Sequence, residues 1–123
     1  EALDFYKKSL AIRKQHLPPN HPDIAASHNN IGVVYYNLNK YDLAMEHYQQ
    51  SLKIYLKSVP GDHPNIAMSY YNIASIHEQK REWKEALELF EKALNIYQHA
   101  FSSQHPNVMK VKASIQRVSS NLK

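Results

Sequence analysis

The sequence predicts an all-α chain built from a repeated pair of antiparallel helices. Three observations predict it: a His-Pro dipeptide recurs, apolar residues follow a helical period, and only two glycines occur in 123 residues. The dipeptides begin at His21, His63 and His105, two equal steps of 42 residues. Because a fixed period of roughly 20–50 residues is typical of stacked repeat architectures, we expect about six helices that stack as a solenoid.

Apolar positions keep the same 42-residue step along the chain. The matched sets are Ala2, Ala44 and Ala86; Tyr6, Tyr48 and Phe90; Leu10, Leu52 and Leu94; and Ile31, Ile73 and Ile115. Within one unit, Ile24, His28, Ile31 and Tyr35 follow the spacing of a single helix face. Each helix pair therefore carries more apolar surface than it can bury alone, and we expect stacking of neighbouring pairs to stabilise the chain.

Prolines and turn residues set the predicted helix bounds. Pro22, Pro64 and Pro106 suit a first helical turn, where a missing N–H removes no intrahelical hydrogen bond. The predicted helices are 1–16, 22–38, 41–58, 64–80, 83–100 and 106–122, with no strand. Asn39 suits the tight link inside the first pair because asparagine tolerates the left-handed conformation. Its counterpart, Arg81, is a poorer choice, so we expect that link to be strained or built differently.

We predict a single array fragment over residues 1–123, since the chain begins in the middle of the repeat pattern. Its parts are the second helix of a truncated repeat (1–16), two whole repeats (22–58 and 64–100) and a terminal, capping helix (106–122). Lys112, Gln116 and Ser119 place polar side chains where the earlier copies pack against a neighbour, and this favours a solvated outer side.

The first helix is predicted to lack a partner on one side. Leu3, Tyr6 and Leu10 would normally pack against a preceding helix. An exposed apolar face promotes association, so we expect self-association through the N-terminal helix.

Composition excludes several classes of site. The chain has no cysteine, which excludes disulfides and cysteine-ligated metals. No apolar run reaches the roughly 20 residues that span a bilayer, so we expect no membrane partner. The net charge of +4 is too small to favour a nucleic-acid partner. From His105 onward there are four basic and no acidic side chains, which favours an acidic protein partner.

No motif for catalysis, a cofactor or a metal is present. Phosphate-binding loops, nucleophile elbows and zinc motifs are all missing, so we predict no enzyme activity. The repeated histidines at 21, 63 and 105 mark successive helix starts, too far apart to bind one ion. His28 and His77 fall on packing faces, where we expect partnered core histidines. The nine tyrosines mostly fall on packing positions too, and only Tyr36 and Tyr71 are open cases.

Short motifs resemble the tetratricopeptide repeat (TPR) family. They are Ile31-Gly32-x-x-Tyr35, Lys40-Tyr41-x-x-Ala44 and Tyr48-x-x-Ser51-Leu52. The 42-residue unit, longer than the generic repeat of about 34, and the linker 17–22 resemble the kinesin light chain subgroup. The Asn29-Asn30 pair matches that subgroup, whereas the second copy keeps only Asn72. The resemblance implies a right-handed superhelical TPR-type α-solenoid, a protein-binding scaffold or adaptor, and a cytoplasmic location.

The resemblance also implies a concave groove lined by the first helix of each pair. Helical geometry then selects the groove residues, which are Asn29, Asn30, Val33, Tyr36, Asn37, Met68, Tyr71, Asn72, Ser75, Lys110 and Arg117. Asparagine amides can hold a peptide backbone, and Lys110 and Arg117 can bind carboxylates. Two alternatives stay open: the asparagines satisfy local backbone groups, or the chain is an accessory TPR segment that positions or regulates a larger enzyme.

Overall fold

The structure, a computed structural model, describes residues 1–123 as six α-helices without a strand. The helices are α1 (Ala2–His16), α2 (Pro22–Asn37), α3 (Tyr41–Ser58), α4 (Pro64–Gln79), α5 (Trp83–Ala100) and α6 (Pro106–Ser120). All twelve helix ends lie within two residues of the predicted bounds, which confirms the all-α class. None of the six helices combines the length and apolar character that crossing a membrane requires. The chain divides into two compact units, Glu1–Pro60 with α1–α3 and Gly61–Lys123 with α4–α6.

The repeated histidines cap the first helix of each pair. In His21, His63 and His105 the ring Nδ1 accepts a hydrogen bond from the backbone N–H two residues on, at 3.0, 3.0 and 3.1 Å. Proline follows each one at the first helical position. The cap satisfies an N–H group that the helix itself leaves without a partner. The interpretation of these histidines as residues of helix starts is confirmed.

The links inside the two whole pairs share one geometry. Asn39 has a φ of 62° and Arg81 a φ of 61°, so both occupy the left-handed region. In each link the N–H of the next residue donates to the carbonyl five residues earlier, at 2.9 and 2.8 Å. The second link is therefore not built differently. It places an arginine in a conformation that disfavours a side chain by about 1 kcal/mol, which is the strain expected there.

In the first unit, α2 and α3 approach closely through a glycine. A Cβ added to Gly32 would lie 2.6 Å from Cδ1 of Tyr48, so the tyrosine ring fills the space that the missing side chain leaves. The buried apolar residues of this unit are Leu10, Ile24, Ala25, Ile31, Tyr35, Ala44, Tyr48, Ile54 and Tyr55. A small residue facing a large ring thus sets the helix spacing in the first pair.

Helix α1 packs against α2, and its open face differs from the predicted one. Leu10 is buried, and Leu3 and Tyr6 are half-buried, so the prediction that these three residues form the exposed face is wrong. Instead Phe5 is 65% exposed and Ile12 57% exposed. The prediction failed because it treated the whole apolar side of α1 as one face, although α2 covers part of it.

In the second unit, α4, α5 and α6 share one apolar core. Its buried members are Ala67, Ala74, Ala86, Phe90, Ala93, Tyr97, Val108, Val111 and Val118, and the half-buried Trp83 packs against it. On α6 the valines face this core, Lys112 and Gln116 are exposed, and Ser119 is half-buried. These exposures agree with a solvated outer side, and the capping role of α6 stays a prediction.

Candidate peptide-binding surfaces

The predicted groove residues of the first unit all lie on α2 but differ in exposure. Val33 and Asn37 are exposed, and Asn30 and Tyr36 are half-buried. Asn29 is buried and makes contacts within the chain. The accessible part of α2, called the α2 surface below, therefore consists of Asn30, Val33, Tyr36 and Asn37.

The aromatic ring on the α2 surface is fixed by its neighbours. Tyr36 meets Tyr41 of α3 edge to face, with ring centroids 5.4 Å apart. Tyr41 Oη donates a hydrogen bond of 3.0 Å to Asn39 Oδ1 in the tight link. Because the ring is already held, little conformational entropy is lost when a ligand packs against it.

In the second unit, two cationic side chains of α6 rest on α4. Lys110 Nζ lies 4.6 Å from the ring centroid of Tyr71. Arg117 makes two contacts with Glu78, from Nε to Oε2 at 2.5 Å and from Nη2 to Oε1 at 2.8 Å. Both pairs are 39 residues apart, so α4 and α6 run parallel. Since residues seven apart share a helix face, Tyr71 and Glu78 of α4 and Lys110 and Arg117 of α6 lie on one surface, called the α4–α6 surface below.

Aromatic packing also holds the centre of the α4–α6 surface. The Tyr71 ring packs on Phe90 of α5 with centroids 5.3 Å apart, so Lys110 and Phe90 both fix its position. Ser75 Oγ donates a hydrogen bond of 3.0 Å to the backbone carbonyl of Tyr71 in the same helix. Met68 and Asn72 are half-buried, and Asn72 also makes contacts within the chain.

The pairing of Arg117 with Glu78 is a feature that the sequence reasoning missed. The Glu78 side chain is only 13% exposed, against 56% for Arg117. The guanidinium fork is therefore occupied by a carboxylate of the same chain, in the two-point geometry that such pairs favour. The sequence did carry a signal for this pair. Glu78 and Arg117 lie on the first helices of successive pairs and are 39 residues apart, about one helical turn less than the 42-residue repeat.

The histidine expected on the α2 packing face has a partner that the sequence did not indicate. His28 Nδ1 lies 3.0 Å from Nδ1 of His47 on α3, and the His47 ring stacks on Tyr35 at 5.7 Å. Burial, followed by the charges of His47 and Lys14, lowers the pKa of His28 to about 4. Burial also lowers the pKa of His47. Two neutral rings sharing one N–H explain the short contact.

The other packing-face histidine is partnered as well. His77 Nδ1 lies 2.8 Å from Oε1 of Glu82, which confirms that both histidines have partners, but His77 is half-buried rather than a core residue. No three histidine, aspartate or glutamate side chains converge in the geometry that holds a metal ion.

Sequence comparisons identify the repeat. One model of the tetratricopeptide repeat matches residues 1–57, and a second matches residues 66–107. Together they cover α1 to α5 and the start of α6. No curated protein matches the chain significantly.

Solved structures share the fold. The nearly identical TPR-like repeats of a kinesin light chain-like protein from Podosopora anserina superpose with a TM-score of 0.87 at 22% identity, over 98% of this chain and 57% of that one. BtubC (BKLC) from P. vanneervenii gives a TM-score of 0.86 at 23% identity, over 97% of this chain and 47% of that one. The chain thus spans about half the length of these structures, which share its TPR-type α-solenoid fold.

Proposed function

The chain belongs to the tetratricopeptide repeat family, and from this premise we propose that it is a non-catalytic module that binds an extended peptide along its first helices. Proteins with this repeat generally mediate protein–protein interactions. The observation that carries the finer proposal is the α4–α6 surface, where a fixed tyrosine ring and a cation stand side by side. An aromatic anchor next to a charged group is a common basis for protein recognition.

The α2 surface supplies the apolar and amide contacts in this proposal. Val33 is exposed, and the held ring of Tyr36 offers apolar area at a small entropic cost. Asn30 and Asn37 can donate to and accept from a peptide backbone. An extended segment would thus be held by its backbone, with an aliphatic or aromatic side chain seated against Tyr36 and Val33.

We assign the preference for an acidic ligand to Lys110. Arg117 is engaged by Glu78, and a ligand carboxylate would have to compete with that pair. The Lys110 ammonium rests on a ring face, and this contact uses none of its hydrogen-bond donors. The net charge of +4 also attracts an acidic partner over long range and should speed its association with the chain. We further propose a scaffold or adaptor role in the cytoplasm.

Peptide display against the whole chain, followed by affinity measurements on the selected peptide, tests this function. Val33→Glu and Lys110→Glu should each weaken binding about tenfold or more, through loss of an apolar contact and reversal of a charge. Leu56→Glu on α3 and Lys84→Glu on α5 make the same changes at exposed positions on second helices, and should change affinity less than twofold. Equal effects of both sets, or no selected peptide, would contradict the proposal.

Self-association through α1 is a separate proposal. The exposed residues Phe5 and Ile12 carry it, because Ile12 matches Ile54, which is buried in the first whole pair. Sedimentation velocity at rising concentration should show a larger species, and Phe5→Ser with Ile12→Ser should abolish it. Leu43→Ser with Leu56→Ser, on α3, is the control. A monomer at every concentration would overturn the proposal.

A further inference from the structure

The first unit contains a cavity that is open to solvent and is separate from the residues proposed to contact a peptide. It has a volume of about 430 Å³ and lies between α1, α3 and the start of α2. Small-molecule sites usually measure about 300–1,000 Å³. Ile24 and Ile54, both buried, form apolar parts of its wall. None of its lining residues belongs to the α2 or α4–α6 surface, so this is a different site from the one proposed above.

The charge around the cavity has one sign. Lys14 on α1 and Lys53 and Lys57 on α3 line it, all three exposed, and no carboxylate side chain does. Lys53 and Lys57 stand four residues apart, a spacing at which like charges destabilise a helix. A concave surface lined by one sign of charge concentrates counter-ions of the opposite sign, so an anion would relieve this repulsion.

The repeat itself does not require these lysines. One 42-residue step later, Lys14, Lys53 and Lys57 are replaced by Leu56, Asn95 and His99. The helix pair forms with either set, so the three positive charges are a property of this cavity rather than of the fold. The replacements also supply substitutions that the same helix positions already tolerate.

We propose that this cavity binds a small phosphorylated ligand that carries two or more phosphate groups. Three ammonium groups on two helices can contact several phosphates at once, and lysine binds phosphate as a compact point charge. No arginine lines the cavity, so binding there depends on several point charges, which favours the ligand with the most negative charge over a planar carboxylate. The isoleucines offer apolar contact to the organic part of the ligand.

His28 gives the cavity an internal reporter. His28 is one of the residues that line the cavity, and its Nδ1 lies 3.0 Å from Nδ1 of His47. Phosphate charge nearby would stabilise the protonated ring and raise the pKa of His28. An anion bound elsewhere on the surface would leave this titration unchanged.

Calorimetry and NMR with tripolyphosphate, at physiological salt, test the proposal. We expect saturable one-to-one binding, a rise in the pKa of His28, and citrate binding at least about fivefold more weakly. Lys53→Asn with Lys57→His should weaken tripolyphosphate binding about tenfold, and Lys14→Leu should weaken it separately.

The matched control changes the same charges elsewhere. Lys84→Asn with Lys123→His makes the same substitutions at exposed positions in the second unit and should alter affinity less than twofold. No saturable binding, an equal loss in the control, or an unchanged His28 titration would overturn the proposal. Citrate binding as tightly as tripolyphosphate would overturn its phosphate selectivity.

Discussion

The two whole helix pairs, α2–α3 and α4–α5, follow one 42-residue pattern but bury different chemistry between their helices. At five matched positions the first pair has Gly32, His28, His47, Tyr48 and Ser51, and the second has Ala74, Tyr70, Leu89, Phe90 and Ala93. The backbone links of both pairs are nevertheless closed in the same way. The repeat therefore fixes caps and turns, while the residues between the helices vary as complementary sets.

Lowering the pH should produce the largest difference in stability between the two helix pairs, because only the first pair packs two histidines between its helices. The pKa of His28 is lowered to about 4 in the folded chain, and that of His47 is lowered too. Below the ordinary histidine pKa of about 6.5, the unfolded chain therefore binds more protons than the folded chain. Stability is thus full above pH 6.5 and is lost as the pH falls toward 4. The full shift corresponds to about 3 kcal/mol, and solvent in the adjoining cavity should reduce this to about 1–2 kcal/mol.

Copying the second pair into the first provides the control for this pH dependence. His28→Tyr with His47→Leu introduces the residues found one step later, and denaturant unfolding between pH 7 and 4 compares the two proteins. The carboxylates titrate in both, so the difference between the curves isolates the histidines. An unchanged difference across this range would show that the pair has no such linkage.

Gly32→Ala should destabilise the protein by about 1–2 kcal/mol. The added methyl would meet a buried ring at 2.6 Å, and overpacking of this kind costs about 1–3 kcal/mol, which exceeds the gain of up to about 1 kcal/mol in helix propensity. Thermal unfolding measures it. Ala74→Gly makes the reverse change in the second pair and should also destabilise, by about 1 kcal/mol. Stabilisation by Gly32→Ala would mean that the ring moves aside freely.

Ser51→Ala should stabilise the protein by about 1 kcal/mol. The Ser51 hydroxyl is fully buried and has no hydrogen-bond partner, and a buried unsatisfied group of this kind is unfavourable. The second pair already has Ala93 at this position, so Ala93→Ser should produce the opposite change. Chemical denaturation of both variants checks the sign, and a loss of stability in Ser51→Ala would point to a partner for the hydroxyl.

Arg81→Asn should give the smallest gain, about 0.5–1 kcal/mol. It places the residue of the first link into the second, at a φ of 61° where asparagine is better tolerated. The gain should appear as a higher midpoint with an unchanged denaturant slope. The exposed neighbour Lys80 has a negative φ of −84°, where asparagine has no conformational advantage, so the control Lys80→Asn should not stabilise the protein.

The sequence was sufficient for features that depend on local chemistry. Proline at the first turn, histidine before it and asparagine at the link predicted helix ends correctly, because caps and turns involve residues close in the chain. The 42-residue step and its apolar matches predicted which side of each helix packs from α2 onward. These signals were enough for the fold class.

Features that depend on distant residues were harder to predict. The Arg117–Glu78 pair and the His28–His47 pair each join two helices, and periodicity gives a face but not the residue opposite. The open face of α1 was misjudged for the same reason. For the candidate surfaces, the sequence predicted which helices and which helix faces to consider. It did not predict that Asn29 is buried, because that depends on packing between helices that no local pattern encodes.

Residue-resolved NMR of the chain with a display-selected peptide tests the proposed function most directly. We predict that the largest amide shift changes fall on α2, α4 and α6, around Val33, Tyr71 and Lys110, with α3 and α5 little affected on their exposed sides. Saturable changes confined to α3 and α5 would contradict peptide binding along the first helices.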